Sequence, residues 1–144
     1  MMKTVVLVTA MILAVGGVAQ AQGFDPVETR KAGQDLVSGT FAGIKAVVTT
    51  NGDVKTLESP AKAIQRWALV FPTLFPEGSD KGNTKAAPAI WTDAAGFQKA
   101  AVSLATASEA LATAAKAGDA AAVAAAFKGM GEACGACHKD YRLK

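Results

Sequence analysis

Reactive side chains are scarce in this chain. Its 144 residues include one histidine and two cysteines. A tetrahedral zinc site would need further Cys or His ligands, and none exists. Two histidines on one metal are excluded for the same reason. Charge is also sparse: Asp, Glu, Lys and Arg make up 19% of the residues, and the formal net charge is +3. So small an excess is no argument for a nucleic-acid or membrane partner. Long apolar runs are confined to the beginning. Lys3 precedes an apolar stretch from Thr4 to Val18, and Ala19-Gln20-Ala21 follows. A basic start, an apolar segment and a small-x-small site read as a secretory signal peptide, cleaved after Ala21. The run is short and interrupted by Gly16 and Gly17, which argues against a retained anchor. Residues 22–144 are then one domain, with one positive charge fewer than the full chain.

The scarce residues are concentrated in one place. Cys134-Gly135-Ala136-Cys137-His138 holds both cysteines and the histidine. The spacing Cys-x-x-Cys-His is that of covalent haem c attachment. Each sulfur can add to one vinyl group, and the adjacent imidazole can bind the iron. On a helix, positions 134, 137, 138 and 141 share a face, so these groups can meet one side of a flat porphyrin. A thioredoxin-like redox pair would want a strand-helix-strand context, and no strand pattern occurs here.

The rest of the chain predicts helices. Asp25-Pro26-Val27-Glu28 is a helix start, with Asp25 as cap and Glu28 placed to close a capping box. Val27, Arg30, Gln34, Val37, Phe41, Ile44 and Val48 follow at alternating three- and four-residue spacing, and Asn51-Gly52 ends the segment. A second helix carries Leu57, Ala61, Ile64, Ala68 and Phe71; it begins either at Ser59-Pro60 or as early as Asp53. Residues 72–88 are a long loop, of the kind that wraps something. A third helix covers Ala89 to Lys116 without a break. Gly118 closes it and Asp119 caps a fourth, on which Val123, Phe127, Met130, Cys134, Cys137 and Tyr141 share one face. The expected fold is all-α: an antiparallel four-helix bundle with covalently bound haem c near its C-terminus.

The candidate sixth ligands of the iron are few. Met1, Met2 and Met11 fall within the predicted leader, and Met130 lies on the attachment helix itself. Neither a second His nor a Met from another helix is available, so the iron is expected to be five-coordinate, or weakly closed by water or Gln34. An open iron position takes neutral diatomics such as NO and CO. Gln34 either borders that position or serves as a structural amide. Arg30 lies on the buried stripe, where a haem propionate is its expected partner. Trp67 and Trp91 are expected to be packing residues.

Several of these segments together resemble the cytochrome c′ family, the class II c-type cytochromes of bacterial periplasms. The resembling parts are Glu28-Thr29-Arg30-Lys31, Leu74-Phe75-Pro76-Glu77-Gly78, Ala89-Ile90-Trp91-Thr92-Asp93 with Phe97, Ala117-Gly118-Asp119, and Cys134 to Arg142. The resemblance implies a periplasmic four-helix bundle; the open iron position points to NO and CO as ligands, and with no distal His for acid-base work the protein is expected not to be an enzyme. The resemblance also implies a homodimer through the first two helices, for which Val37, Phe41, Ile44, Val48, Ile64 and Phe71 offer apolar surface. It implies that His138 is the sole protein ligand to iron, with Arg142 near it. Arg30 would lie near a propionate, and Phe75 on the far side of the haem. The position usually given to Leu, Phe or Tyr, four after the Arg, is Gln34 here. An electron-transfer cytochrome of the same class is the rival reading. The pattern identifies no redox partner.

Overall fold

The computed structural model describes residues 24–144, so the expected leader lies outside the described residues. Five α-helices follow in order: α1 (Pro26–Thr49), α2 (Glu58–Val70), α3 (Ala89–Thr92), α4 (Ala94–Ala117) and α5 (Ala120–Tyr141). Among the described residues there is no strand, only an isolated antiparallel bridge between Ala86 and Arg142. The four long helices form the expected bundle. α4 packs against both α2 and α5, and α1 closes the side between them.

The helix ends follow the sequence signals. The Asp25 carboxylate accepts from the backbone N–H groups of Val27 at 2.8 Å and Glu28 at 3.2 Å. Glu28 does not complete the expected capping box; its carboxylate pairs with Lys31 at 2.8 Å. Gly118 ends α4 with φ 76°, a left-handed conformation that glycine adopts without penalty, and the Asp119 side chain then caps α5 through Ala122 N–H at 2.9 Å. The start of the second helix resolves into two pieces. A 3-10 turn at Val54–Leu57, capped by Asp53, feeds an α-helix from Glu58, and Pro60 sits in its first turn.

The third helix departs from expectation. It is broken at Asp93, whose backbone (φ −130°, ψ 57°) leaves the helical region. The Asp93 carboxylate caps α4 by accepting from Gly96 N–H at 3.1 Å. A local side-chain-to-backbone bond here outcompetes continuation of the helix.

The core is shared by all four long helices: Ile44, Ala61, Ile64, Leu111, Ala115, Val123 and Met130 are almost fully buried. Loss of a fully buried leucine such as Leu111 to alanine costs about 2–5 kcal/mol. This placement corrects one expectation. Ile44 and Ile64 cannot belong to an intersubunit face, being 1% exposed, and Val37, Phe41 and Val48 are partly buried against them. Phe71 lines an internal cleft. The large apolar side chains that α1 and α2 do expose are Leu36, Leu69 and Val70, at 73%, 46% and 50%.

The end of α5 is anchored at three points. Tyr141 O–H donates to Asp93 Oδ2 at 2.7 Å, its ring packs against Phe97 at 5.3 Å, and its carbonyl accepts from Ala87 N–H at 3.1 Å. The bond to Asp93 holds the proton on the Tyr141 hydroxyl, and its ionisation is pushed up to about 12. Asp93 is correspondingly held below the usual carboxylate range, chiefly by the same bond. For a group whose folded-state pKa is raised, the stabilising contribution is complete below the ordinary value of about 10 and is lost as pH rises through about 12. Tyr141 is the only tyrosine in the chain. Ultraviolet difference titration should therefore show a single phenol ionising near 12, and Asp93→Asn should bring it down toward 10. Ionisation near 10 in the unaltered protein would show that the bond is not made.

Candidate haem site

The attachment residues sit on the last turns of α5. Cys134, Cys137 and His138 line one cleft together with Tyr141. Both cysteines are half-buried and free, and burial raises both thiols above their ordinary pKa. They are therefore protonated thiols, not a reactive thiolate pair. His138 is held below its ordinary pKa, first by burial and then by the positive charge of Arg142. That favours the neutral imidazole, the form that can donate a lone pair to a metal. Arg142 lies close to His138, as expected. The backbone around it is fixed by the bridge to Ala86 and by Leu143 N–H donating to Lys85 O at 2.8 Å.

The cleft has a volume of about 880 Å³. Its walls are largely apolar and come from α1, α2, α4 and α5, with the loop after α2 at one end. A row of aromatic rings lines it: Trp67 on Phe71 at 5.7 Å, Phe71 on Phe75 at 5.0 Å, Phe75 on Phe97 at 4.9 Å, and Phe97 on Tyr141. Such walls suit a flat apolar macrocycle, and the volume lies within the roughly 300–1,000 Å³ usual for cofactor pockets.

The loop end carries the charge. Arg30 is 4% exposed. Its Nη1 donates to Leu74 O at 3.1 Å and Ser79 Oγ at 2.9 Å; its Nη2 donates to Ser79 O at 2.8 Å and Thr84 Oγ1 at 3.1 Å. The guanidinium also lies over the Phe75 ring, 4.4 Å from its centroid. Every one of these partners is neutral, and among the described residues no carboxylate lies within 4.0 Å. Burial accordingly pulls the Arg30 pKa down, opposed by the charge of Asp25. A buried cation on a cleft wall without an anion fits an occupant that brings its own carboxylate. A second polar atom is also left over: Trp67 Nε1 is closed off from solvent and has no hydrogen-bond partner among the described residues.

These features match haem. Its propionates would meet the Arg30 end, its ring the aromatic row, and its vinyl edge the two cysteines. Among the described residues no cluster of three or more His, Cys, Asp or Glu side chains could hold a bare ion. One imidazole suits a metal already held by a porphyrin.

Cys134, Cys137, His138, Arg30, Gln34, Phe75 and Arg142 are all expected at the site, and all seven line this one cleft. Gln34 and Val37 contribute from α1. Sequence reasoning missed Ser79 and Thr84 as partners of Arg30, and Trp67 as a cleft residue. Trp67 had a readable signal: it lies three residues after Ile64 and four before Phe71, on the inward stripe. Trp91 is packing, as expected, with its N–H donated to Phe75 O at 3.1 Å.

Comparison with known proteins places the chain in a family. The family model described as Cytochrome C' matches residues 25–142. Cytochrome c' of Rubrivivax gelatinosus is 34% identical over 123 residues, which cover 83% of this chain and 95% of that protein. Its crystal structure superposes with a TM-score of 0.74, covering 82% of this chain and 94% of that one. Cytochrome c-556 of Agrobacterium tumefaciens (strain B2A) is 35% identical over 120 residues, 82% of this chain and 97% of that protein. The nitric oxide complex of a point mutant of cytochrome c prime from Alcaligenes xylosoxidans is 29% identical with a TM-score of 0.74, covering 83% of this chain and 94% of that one. The chain belongs to the cytochrome c′ family and carries haem c through Cys134 and Cys137.

Proposed function

We propose that this is a periplasmic haem protein that binds NO, and also CO, and serves in NO buffering or tolerance. The observation that carries the proposal is the wall contributed by α1. It presents Gln34, Val37 and Phe41 to the cleft, with no Met or His among them. Met130, the one methionine within the described residues, is on α5 and fully buried in the core. Bound haem supplies an iron with one coordination position for a small neutral ligand.

The chain's own residues do the rest. His138 gives a neutral imidazole as the protein ligand to iron. Cys134 and Cys137 fix the plane of the ring through covalent bonds. Arg30 holds a propionate, and Phe71, Phe75 and Phe97 exclude water. Gln34 borders the open position from α1. The nitric oxide complex of the Alcaligenes xylosoxidans relative supports the choice of ligand. Residues 1–21 act as a cleaved leader and residues 22–144 as the bundle domain, and export suits haem attachment outside the cytoplasm. With no second imidazole for acid-base work, the protein is read as a binder and not an enzyme.

Gln34 is the most informative residue to change. A hydrogen bond from its amide to a bound ligand is worth about 1 kcal/mol, or several-fold in a rate. Gln34→Leu should leave the haem attached, shift the CO stretching frequency, and change CO association or dissociation several-fold. Unchanged stretch and rates would remove Gln34 from the open face.

The same reading includes a homodimer through α1 and α2, with Leu36, Leu69 and Val70 at its seam in place of the residues now found in the core. Sedimentation at tens of micromolar should give twice the chain mass, and Leu36→Glu should shift the population toward monomer. A monomeric mass for the unaltered protein contradicts the dimer.

A further inference from the structure

We infer that Trp67 is the second donor of a carboxylate clamp, holding with Arg30 one haem propionate at the loop end of the cleft. The inference rests on the haem reading of the cleft and adds a residue to it. Three observations converge. First, Trp67 Nε1 is shielded from solvent, lines the cleft wall, and has no acceptor among the described residues. A buried donor left without an acceptor is rare in native structures and points to a missing partner. Second, Arg30 is a buried cation with no carboxylate within 4.0 Å among the described residues, and its four Nη bonds all go to neutral oxygens of residues 74–84. The guanidinium is thus fixed in place by the loop, without a direct ion pair among the described residues and with only Nε–H outside that network. One donor is too few for a carboxylate, which accepts several bonds. Third, the two residues meet across α1. Gly33 is one turn after Arg30, and a Cβ there would overlap the outer carbons of the Trp67 six-membered ring. Glycine at this position lets the indole lie flat on α1 beside the Arg30 turn. The indole therefore packs on α1 one turn from the Arg30 backbone, and both residues line the same cleft.

The chemistry selects the occupant. An indole N–H donates only, so its partner must be an acceptor, and a nearby buried guanidinium favours an anionic one. A propionate carboxylate satisfies both. The other acceptor in such a cleft is a ligand on the iron itself, which a test must separate.

Trp67→Phe removes the N–H and keeps an aromatic ring. With the covalent holoprotein, the iron midpoint potential is measured against pH, where propionate ionisation appears as an inflection. Loss of one donor to the carboxylate should raise that inflection by about one pH unit, a tenfold change in proton affinity. In the unaltered, 15N-labelled, CO-bound ferrous protein, which is diamagnetic, the Trp67 indole proton should titrate at the same pH as the inflection. That second reading does not depend on any variant folding. An inflection that stays in place in Trp67→Phe, with an indole proton that does not titrate, overturns the inference. So does a shift of the CO stretch in Trp67→Phe with the inflection unmoved, because it assigns the indole to the iron ligand. Arg30→Gln separates the two levels of the argument. If it moves the inflection and Trp67→Phe does not, only the role of Trp67 fails. If neither moves it, the propionate does not lie at this end and the orientation of the haem fails with it.

Discussion

Both attachment sulfurs and the sole imidazole come from little more than one turn of α5. That constraint governs the rest of the structure. A group held at 134, 137 and 138 would have its plane fixed relative to that helix. The opposite wall of the cleft includes Gln34, Val37 and Phe41 of α1. The bundle leaves a cleft between these two elements because α4 and α5 are rich in alanine and meet closely, while aromatic residues of α2, α4 and the loop line the opening. The same constraint determines ligand chemistry. A methionine on α5 cannot reach across the ring, and α1 offers an amide and apolar side chains.

Arg30 organises the other end. Its guanidinium crosses from α1 to hold Leu74, Ser79 and Thr84 of the connection after α2. The loop is held from the far side by residues 141–143. The connection after α2 is therefore fastened to both α1 and the end of α5. Burying a cation is costly unless it is paired. Neutral carbonyls and hydroxyls solvate the guanidinium, and a bound propionate would supply the countercharge.

Much of this is legible in the sequence. The α1 stripe, the Gly118-Asp119 hairpin and the Cys-x-x-Cys-His motif are local signals, and each produces the element or site expected of it. The break at Asp93 is not legible, because the apolar spacing runs through it without interruption from Ile90 to Phe97 and only the cap geometry reveals it. Ser79 and Thr84 are hidden for a different reason. They meet Arg30 across 49 and 54 residues, and no local pattern records such a pairing. The apolar stripe on α1 suggests an intersubunit face and turns out to be interior. Periodicity shows that a face is buried without showing what buries it, and here the core and the cleft do so. Trp67 lies on its own helix's inward stripe, yet aromatic residues at such positions are so often packing that its unpartnered N–H emerges only in three dimensions.

The central claim is that His138 is the only protein ligand to the iron. The ferrous protein without added ligand tests it most directly, by visible absorption and resonance Raman spectroscopy. The account predicts broad high-spin bands, a five-coordinate porphyrin pattern and an iron–imidazole stretch. Sharp low-spin bands of a six-coordinate iron, unchanged by NO, would contradict it.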